Sequence, residues 1–428
     1  MPAAAALPPL PPPSLSRSDA AAPLTCVDVL VVGAGPAGAD LAAGLARLGV
    51  RVVLVERLQR PDQAAFSSAA LPLDALQRYG LPAEVVAHRW SGWQLIGPGE
   101  QSRCWRHSTA LGAVLDFAAL RRWQLDQAQR WGARVLLGCT ALSSVASNGG
   151  NTMVTQLRHA GGRVEPLQSQ WVIDATGQSR ALLGDPDTSQ HPLVSGVGLE
   201  WLLAVDGPSW ERWSVQITFV LGSQWVSQGY GWIFPMQNGQ LKVGVCRLID
   251  PLHKQPPLGT VLQQLLSRCG LQQGVVLDRH GGLIRSTINR REPHRRGRLL
   301  GLGDAVSTAN LLGGEGIRHA LASSRVLLPL LAEALLRQRS GATTERQCQA
   351  LEPYGRDLRH RLGWRWGLSG RLARRTWLGL RAQRADQRLE RLLHSLEGAG
   401  AKDLSALLFG YRFERYGLRA LPYLMGWR

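Results

Sequence analysis

The sequence predicts an α/β protein with a parallel-sheet domain, an inserted antiparallel-sheet lobe and a C-terminal helical segment. Three stretches carry that reading. Residues 27–57 run strand, glycine turn, helix, strand. Residues 196–249 switch to short strands of alternating character. After Arg298 a buried-type strand returns and leads into long helical patterns that continue toward the C-terminus.

Residues 1–24 form an Ala/Pro-rich tail that reads as disordered and has no basic region before its apolar part, so it makes a poor signal peptide. The first strand, 27–32, is a short, β-branched apolar run. Gly33, Gly35 and Gly38 follow in G-x-G-x-x-G spacing, with Pro36 and Ala37 opening a helix that reaches about residue 48. Gly33 permits the tight turn, Gly35 lets a pyrophosphate approach the backbone, and Gly38 lets helix and strand pack closely. The helix N-terminus aims free N–H groups at that anion. A second strand, 51–55, ends at Glu56-Arg57, where the carboxylate of Glu56 is placed for a ribose hydroxyl. Strand, glycines, helix, strand and acid in order make a Rossmann-like site for an adenine dinucleotide.

Residues 58–115 form loops directed toward the substrate side, with Trp90, Trp93 and Trp105 among them. A helix is expected over 114–133, a strand over 134–138, a hairpin turn at 147–151 and a buried strand ending at Asp174-Ala-Thr-Gly177. In the lobe, Trp213, Val215, Ile217 and Phe219 alternate with Ser214, Gln216 and Thr218, which predicts a strand with one covered face. The late strand 298–302 runs into Gly303-Asp304, and Gly313, Gly314 and Gly316 precede a helix over about 317–336. The domains expected are 25–190 together with 285–345, the lobe 191–284, and the helical region 346–428.

Composition narrows the classes. The net charge is +18, but 46 of the 49 basic residues are arginine, a skew that fits GC-rich coding. No nucleic-acid module gathers that charge around an aromatic platform. Six scattered cysteines form no C-x-x-C pair, which argues against a metal site or disulfide scaffold and for a reducing, cytoplasmic setting. No run reaches the ~18 uncharged apolar residues of a membrane span.

Taken together, the fingerprint with Glu56-Arg57, the 174–177 turn, Gly303-Asp304, the 313–317 loop (Gly-Gly-Glu-Gly-Ile) and the 229–235 run (Gly-Tyr-Gly-Trp-Ile-Phe-Pro) resemble the FAD-dependent oxidoreductases of the p-hydroxybenzoate hydroxylase type. Within them the chain looks most like the geranylgeranyl reductase family, over roughly residues 27–340. The resemblance implies that Asp304 bonds the flavin ribitol. It implies too that Asp174 to Gly177 turn beside the cofactor, and that amides around Gly313, Gly314, Gly316 and Ile317 face the isoalloxazine edge. The family's arginine near the start of the 116–130 helix is Phe117 here, leaving Arg121 or Arg122 as substitutes, and the family's loop proline is replaced by Asn310-Leu311-Leu312.

The implied activity is reduction of carbon–carbon double bonds in an isoprenoid or similar apolar substrate. Trp213, Trp225, Tyr230, Trp232 and Phe234 are candidates to line its tunnel. Glu315 is either a proton donor or an acid near the N-terminus of the 317 helix. One dinucleotide fingerprint means FAD is the resident cofactor, with NAD(P)H or a reduced electron-carrier protein as transient donor. The alternatives are an FAD-dependent monooxygenase and a lycopene-cyclase-like non-redox flavoenzyme. Val306 after Gly-Asp-Ala and the missing loop proline weigh against the first of these. A halogenase would need an early lysine and a W-x-W-x-I-P run, and the first lysine here is Lys242. The stretch 355–398 mixes arginines with Trp364, Trp366 and Trp377, the composition of an interfacial helix and of peripheral membrane contact.

Overall fold

The computed structural model describes residues 26–62, 67–237 and 239–415. The whole of the tail expected at 1–24 therefore lies outside the described residues. The first sheet has eight strands. Its parallel core runs Leu299–Gly301, Val164–Asp174, Val27–Val32, Val52–Glu56 and Arg134–Leu137, side by side. The hairpin Cys139–Ala146 and Met153–His159 extends it antiparallel, turning at the predicted Ser-Asn-Gly-Gly. Strands Val27–Val32 and Val52–Glu56 are buried at every position, which is why they read as continuous apolar runs rather than alternating ones.

The helix Pro36–Arg47 packs Leu41, Ala42 and Leu45 into this sheet's core, alongside the helices Phe117–Arg130 and Ile317–Arg339. Ile317–Arg339 is long and apolar enough by composition to cross a membrane, but it buries Leu321, Leu327, Leu331 and Leu335 and so serves as a core helix.

The second sheet has seven strands. They run Val275–Thr287, Leu193–Ala204, Gln240–Leu248, Gly229–Pro235, Ile217–Leu221, Gly92–Ile96 and Ser102–Arg106. All pairs are antiparallel except Ile217–Leu221 with Gly92–Ile96. The lobe expected at 191–284 thus draws two strands from the 58–115 region, and its last strand runs past 284 to Thr287. One face carries the helix Leu258–Arg268, whose Val261, Leu262 and Leu265 pack on Val243, Val245 and Ile233. The other face turns toward the cofactor domain.

Two local expectations change. The strand predicted from Trp213 begins only at Ile217. Gly207–Ser214 is a helix, because Asp206 caps it through the Ser209 N–H at 2.8 Å and Pro208 suits its first turn. The helix expected at 114–133 is Phe117–Arg130, capped by Asp116, while Leu115 ends a strand. Beyond residue 350 come the helical stretch Tyr354–Gly379, broken at Gly363 where φ is +84°, and the helices Gln383–Ser395 and Ala401–Leu408. They close over the sheet face opposite the helix Leu258–Arg268, sharing a core with Trp93, Tyr230 and Trp232 through Trp377, Leu389 and Leu393.

Candidate functional site

The glycine turn is built as its spacing requires. Gly33 has φ +105°, and a Cβ there would lie 2.4 Å from the carbonyl oxygen of Ala175. At Gly38 it would lie 2.0 Å from the carbonyl oxygen of Gly33 and 2.9 Å from Cβ of Ala175. At Gly35 it would meet nothing within 4 Å. Two glycines therefore close the turn, and the third faces open space. The helix behind them has no side-chain cap, so its first amides are left for a ligand. Gly303 brings the late strand's loop against Ala37, 3.0 Å from where its Cβ would stand.

Glu56 ends the second strand inside the site. Its carboxylate accepts from the Ala34 N–H at 3.0 Å and the Leu58 N–H at 3.0 Å, and pairs with Arg121 at 3.3 Å. Arg121 is buried where Arg122 is exposed, so Arg121 is the arginine this helix turns inward. Arg57 points to solvent. Asp174 is fully buried and holds its own turn: it accepts from the N–H groups of Thr176, Leu182 and Leu183 and from the Thr176 hydroxyl. Its carboxylate is spent on that turn, which presses Ala175 against Gly33 and Gly38, while Gly177 takes the positive φ that follows.

Asp304 is enclosed beside Gly316 and accepts a 2.8 Å hydrogen bond from the Thr308 hydroxyl. Burial pushes its carboxyl above the ordinary value, against the pull of Thr308 and Arg180. The helix Ile317–Arg339 also lacks a side-chain cap. Two bare helix N-termini thus open on one space: Pro36 from the first, and residues 313–317 from the second, line the same cavity.

That cavity measures about 460 Å³. It begins at Pro36, Phe117, Asp304 and the 313–317 loop, and continues along Tyr230, Trp232 and Phe234. The Tyr230 hydroxyl stands 3.3 Å from where a Gly314 Cβ would be, which places this ring against the cofactor loop. Trp232 is fixed by donating from Nε1 to the buried Glu200 at 2.8 Å. Trp93 and Phe219 add to the aromatic wall, with Phe219 5.7 Å from Tyr230 and 5.3 Å from Phe234 between ring centres. Trp213 and Trp225 are not part of it. Both are buried on the opposite face of the sheet, Trp225 donating to the Gly97 carbonyl. The remaining wall was not foreseen: Trp377, Leu389, Leu393 and Leu396 from the C-terminal helices, and Phe409 and Tyr411 beyond them. Apolar residues 389, 392, 393 and 396 recur at helical spacing, a signal that could have found it.

Glu315 is not placed to donate a proton. Its carboxylate takes two 2.6 Å bonds from Arg318 and one of 2.9 Å from the Tyr411 hydroxyl. Burial alone would raise its pKa, but Arg318, His319 and these bonds outweigh it and hold the group below its ordinary value, ionised. Nor does it cap the helix it precedes, since the cap position is Gly316.

A parallel nucleotide domain, an acid at the end of its second strand and a long apolar chamber running on from it define a dinucleotide-dependent oxidoreductase. The FAD binding domain family matches residues 26–350, and the chain belongs to that family. It is an FAD-dependent oxidoreductase, and its relatives are reductases. It is 28% identical over 323 residues to the digeranylgeranylglycerophospholipid reductase of Haloferax volcanii, covering 72% of this chain and 76% of that one. It is likewise 28% identical over 335 residues to the menaquinone reductase of Mycolicibacterium smegmatis, again covering 72% and 76%. In fold it is similar to a geranylgeranyl bacteriochlorophyll reductase-like protein from Thermoplasma acidophilum. That likeness has a TM-score of 0.74 at 20% identity, over 92% of this chain and 98% of that one. The cradle fits FAD on this chain's own geometry: open space before Gly35, Glu56 at the ribose position, and a second bare helix end at 313–317 for the ring system.

Proposed function

We propose that the protein reduces carbon–carbon double bonds of an isoprenoid or similar apolar substrate. The observation that carries this is the continuity of one cavity from the cofactor loop, past Tyr230, Trp232 and Phe234, to the leucines of the helix Gln383–Ser395. FAD, when bound and reduced, supplies the hydride for such a reaction. The chain's residues supply the rest. The 313–317 loop and its helix N-terminus favour the negative charge of the reduced cofactor. The aromatic wall excludes water and aligns the chain of the substrate. Glu200 keeps the Trp232 ring in one orientation. With a single dinucleotide fingerprint, reducing equivalents arrive from transiently docked NAD(P)H or a reduced carrier protein.

Peripheral contact with an anionic membrane at the cytoplasmic surface suits such a substrate. On the helix Gln383–Ser395 the acids turn inward, Asp386 to Ser223 and Glu390 to Arg103, while Arg384, Arg388 and Arg391 stay exposed. Trp364 is 65% exposed, whereas Trp366 and Trp377 are buried, so the arginines and one tryptophan carry this expectation. Binding to anionic vesicles should weaken with salt, since each surface charge contributes ~1 kcal/mol and is screened. Salt-insensitive or absent flotation refutes the contact.

The activity is tested anaerobically on FAD-loaded protein reduced with dithionite. Addition of geranylgeranyl diphosphate or a geranylgeranyl phospholipid should reoxidise the flavin and yield a product heavier by two hydrogens per bond. Flavin that stays reduced with both, and reoxidises only in air with an oxygenated product, overturns the reading in favour of a monooxygenase.

A further inference from the structure

The far wall of the chamber comes from a part of the chain outside the family match, which ends at residue 350. Leu407, Leu408, Phe409, Tyr411 and Phe413 all line the cavity. This segment is anchored on the cofactor loop rather than on its own helices alone. Arg318, in the first turn of the helix Ile317–Arg339, donates from Nη2 to the Phe409 carbonyl at 2.7 Å. The Tyr411 hydroxyl donates to Glu315 at 2.9 Å, between Gly314 and Gly316 in sequence. Arg365 pairs with Glu414 just beyond. Phe409 meanwhile packs its ring against Trp90 and Trp93, with centres 6.0 and 5.5 Å away.

Tyr411 itself holds φ +53°, an uncommon conformation for a bulky residue, at the point where the chain bends back so that the Arg412 N–H reaches the Ala406 carbonyl at 3.0 Å. Such a backbone persists where its surroundings over-determine it, and here the surroundings are the Glu315 bond and the enclosed ring.

We propose that residues 407–413 are a strap that seals the chamber, and that Tyr411 is its positioning residue, keying the seal to the cofactor loop through Glu315. The arrangement explains why Glu315 is neutralised by Arg318 instead of capping its helix: the carboxylate is the strap's anchor. It also gives the enzyme a way to keep solvent and oxygen from a reduced cofactor, the side reactions that a closed site prevents. The inference rests on the FAD site but not on the identity of the substrate.

The test uses full-length, FAD-loaded protein and Tyr411→Phe, which keeps the ring and removes the one hydroxyl. Loss of a hydrogen bond to a charged group should raise the open population about tenfold. Iodide quenching of the bound flavin's fluorescence and reoxidation of dithionite-reduced flavin by air should both quicken by several-fold to tenfold. Limited trypsin cleavage after Arg412, whose side chain is exposed while its N–H is held by the Ala406 carbonyl, should accelerate in parallel. FAD affinity should change less than threefold. Unchanged quenching, reoxidation and cleavage overturn the proposal, as does the same result in Glu315→Gln. Should Tyr411→Phe bind no FAD, faster trypsin cleavage of the cofactor-free chain still supports the strap, and unchanged cleavage refutes it. Failure of the reductase reading would show in the prenyl-substrate assay and leave these three readouts untouched.

Discussion

Replacing Gly35 and Gly38 one at a time by alanine separates cradle from scaffold. At Gly38 the added methyl would stand 2.0 Å from a backbone oxygen and 2.9 Å from Cβ of Ala175, and neither can swing away. Overpacking of that kind costs about 1–3 kcal/mol, and the upper end applies because backbone must move. Gly38→Ala should therefore destabilise the protein by about 3 kcal/mol with or without FAD. Gly35 has φ −71° and ψ 177°, which alanine adopts freely, and its methyl would touch nothing. Alanine is a worse helix cap than glycine by roughly 0.5–1 kcal/mol. It also restricts the unfolded chain, which returns about 0.4–1 kcal/mol. The two nearly cancel, so Gly35→Ala should leave the cofactor-free stability within about 0.5 kcal/mol of the parent. The methyl would instead occupy the space of the pyrophosphate, and a clash of about 1.4–3 kcal/mol weakens FAD by ten- to a hundredfold. Urea unfolding with and without FAD reads both quantities. At 100 times its dissociation constant, FAD adds about 2.7 kcal/mol to the parent, and a tenfold weaker site loses about half of that. Gly35→Ala with unaltered FAD affinity would refute the cradle, and a large loss of stability without FAD would refute the claim that the space is open.

Two further outcomes follow from buried charge. Arg121→Ala strands the Glu56 carboxylate, both groups being under 10% exposed. Breaking a buried pair costs about 3–5 kcal/mol, and the two amides that still bind Glu56 favour the lower end. Adding Glu56→Gln should recover part of that loss in a double-mutant cycle, and full additivity would show that the pair is not coupled. His294 and His319 are both held down to about 4, chiefly by burial. Their folded values lie below the unfolded 6.5, so stability should be flat above pH 6.5 and fall as pH drops from 6.5 toward 4, because only the unfolded chain takes up the protons. A melting temperature constant from pH 7.5 to 5 would contradict the burial of both rings.

What was legible in the sequence was local. Residues 27–57 declare themselves because each glycine acts within one turn and the strands are uniformly apolar, so no distant contact is needed to read them. The aromatic run at Tyr230, Trp232 and Phe234 was legible through the motif resemblance carried by residues 229–235, and alternation along that strand puts all three on the cavity side. Trp213 misled because alternation through Trp213 and Val215 also fits the end of a capped helix, and Asp206 with Pro208 decided for the helix. Trp366 and Trp377 were read as candidates for a membrane edge, yet both are buried, Trp377 at the cavity and Trp366 against His319. A tryptophan among arginines looks the same in sequence whether its helix presents it inward or outward. Glu315 was the hardest: Arg318, three residues on, holds its charge, but the bond that ties it to the far wall comes from Tyr411, 96 residues away.

That distant partner matters for the chemistry of the loop. A carboxylate capping the helix at Ile317 would place a negative charge against the ring edge of an anionic reduced cofactor, and would oppose the dipole that favours it. The structure turns Glu315 aside to Arg318 and Tyr411, so the helix end stays electropositive while the acid is neutralised. The same pairing removes Glu315 as a source of protons. Of the acids lining the chamber, that leaves Asp304 as the carboxyl pushed upward by burial, and its Thr308 bond fixes it toward the cofactor side. The chamber therefore separates its tasks: positive ends and glycines toward the cofactor, rings and leucines toward the substrate, and ionised groups kept behind the loop where they hold the walls together.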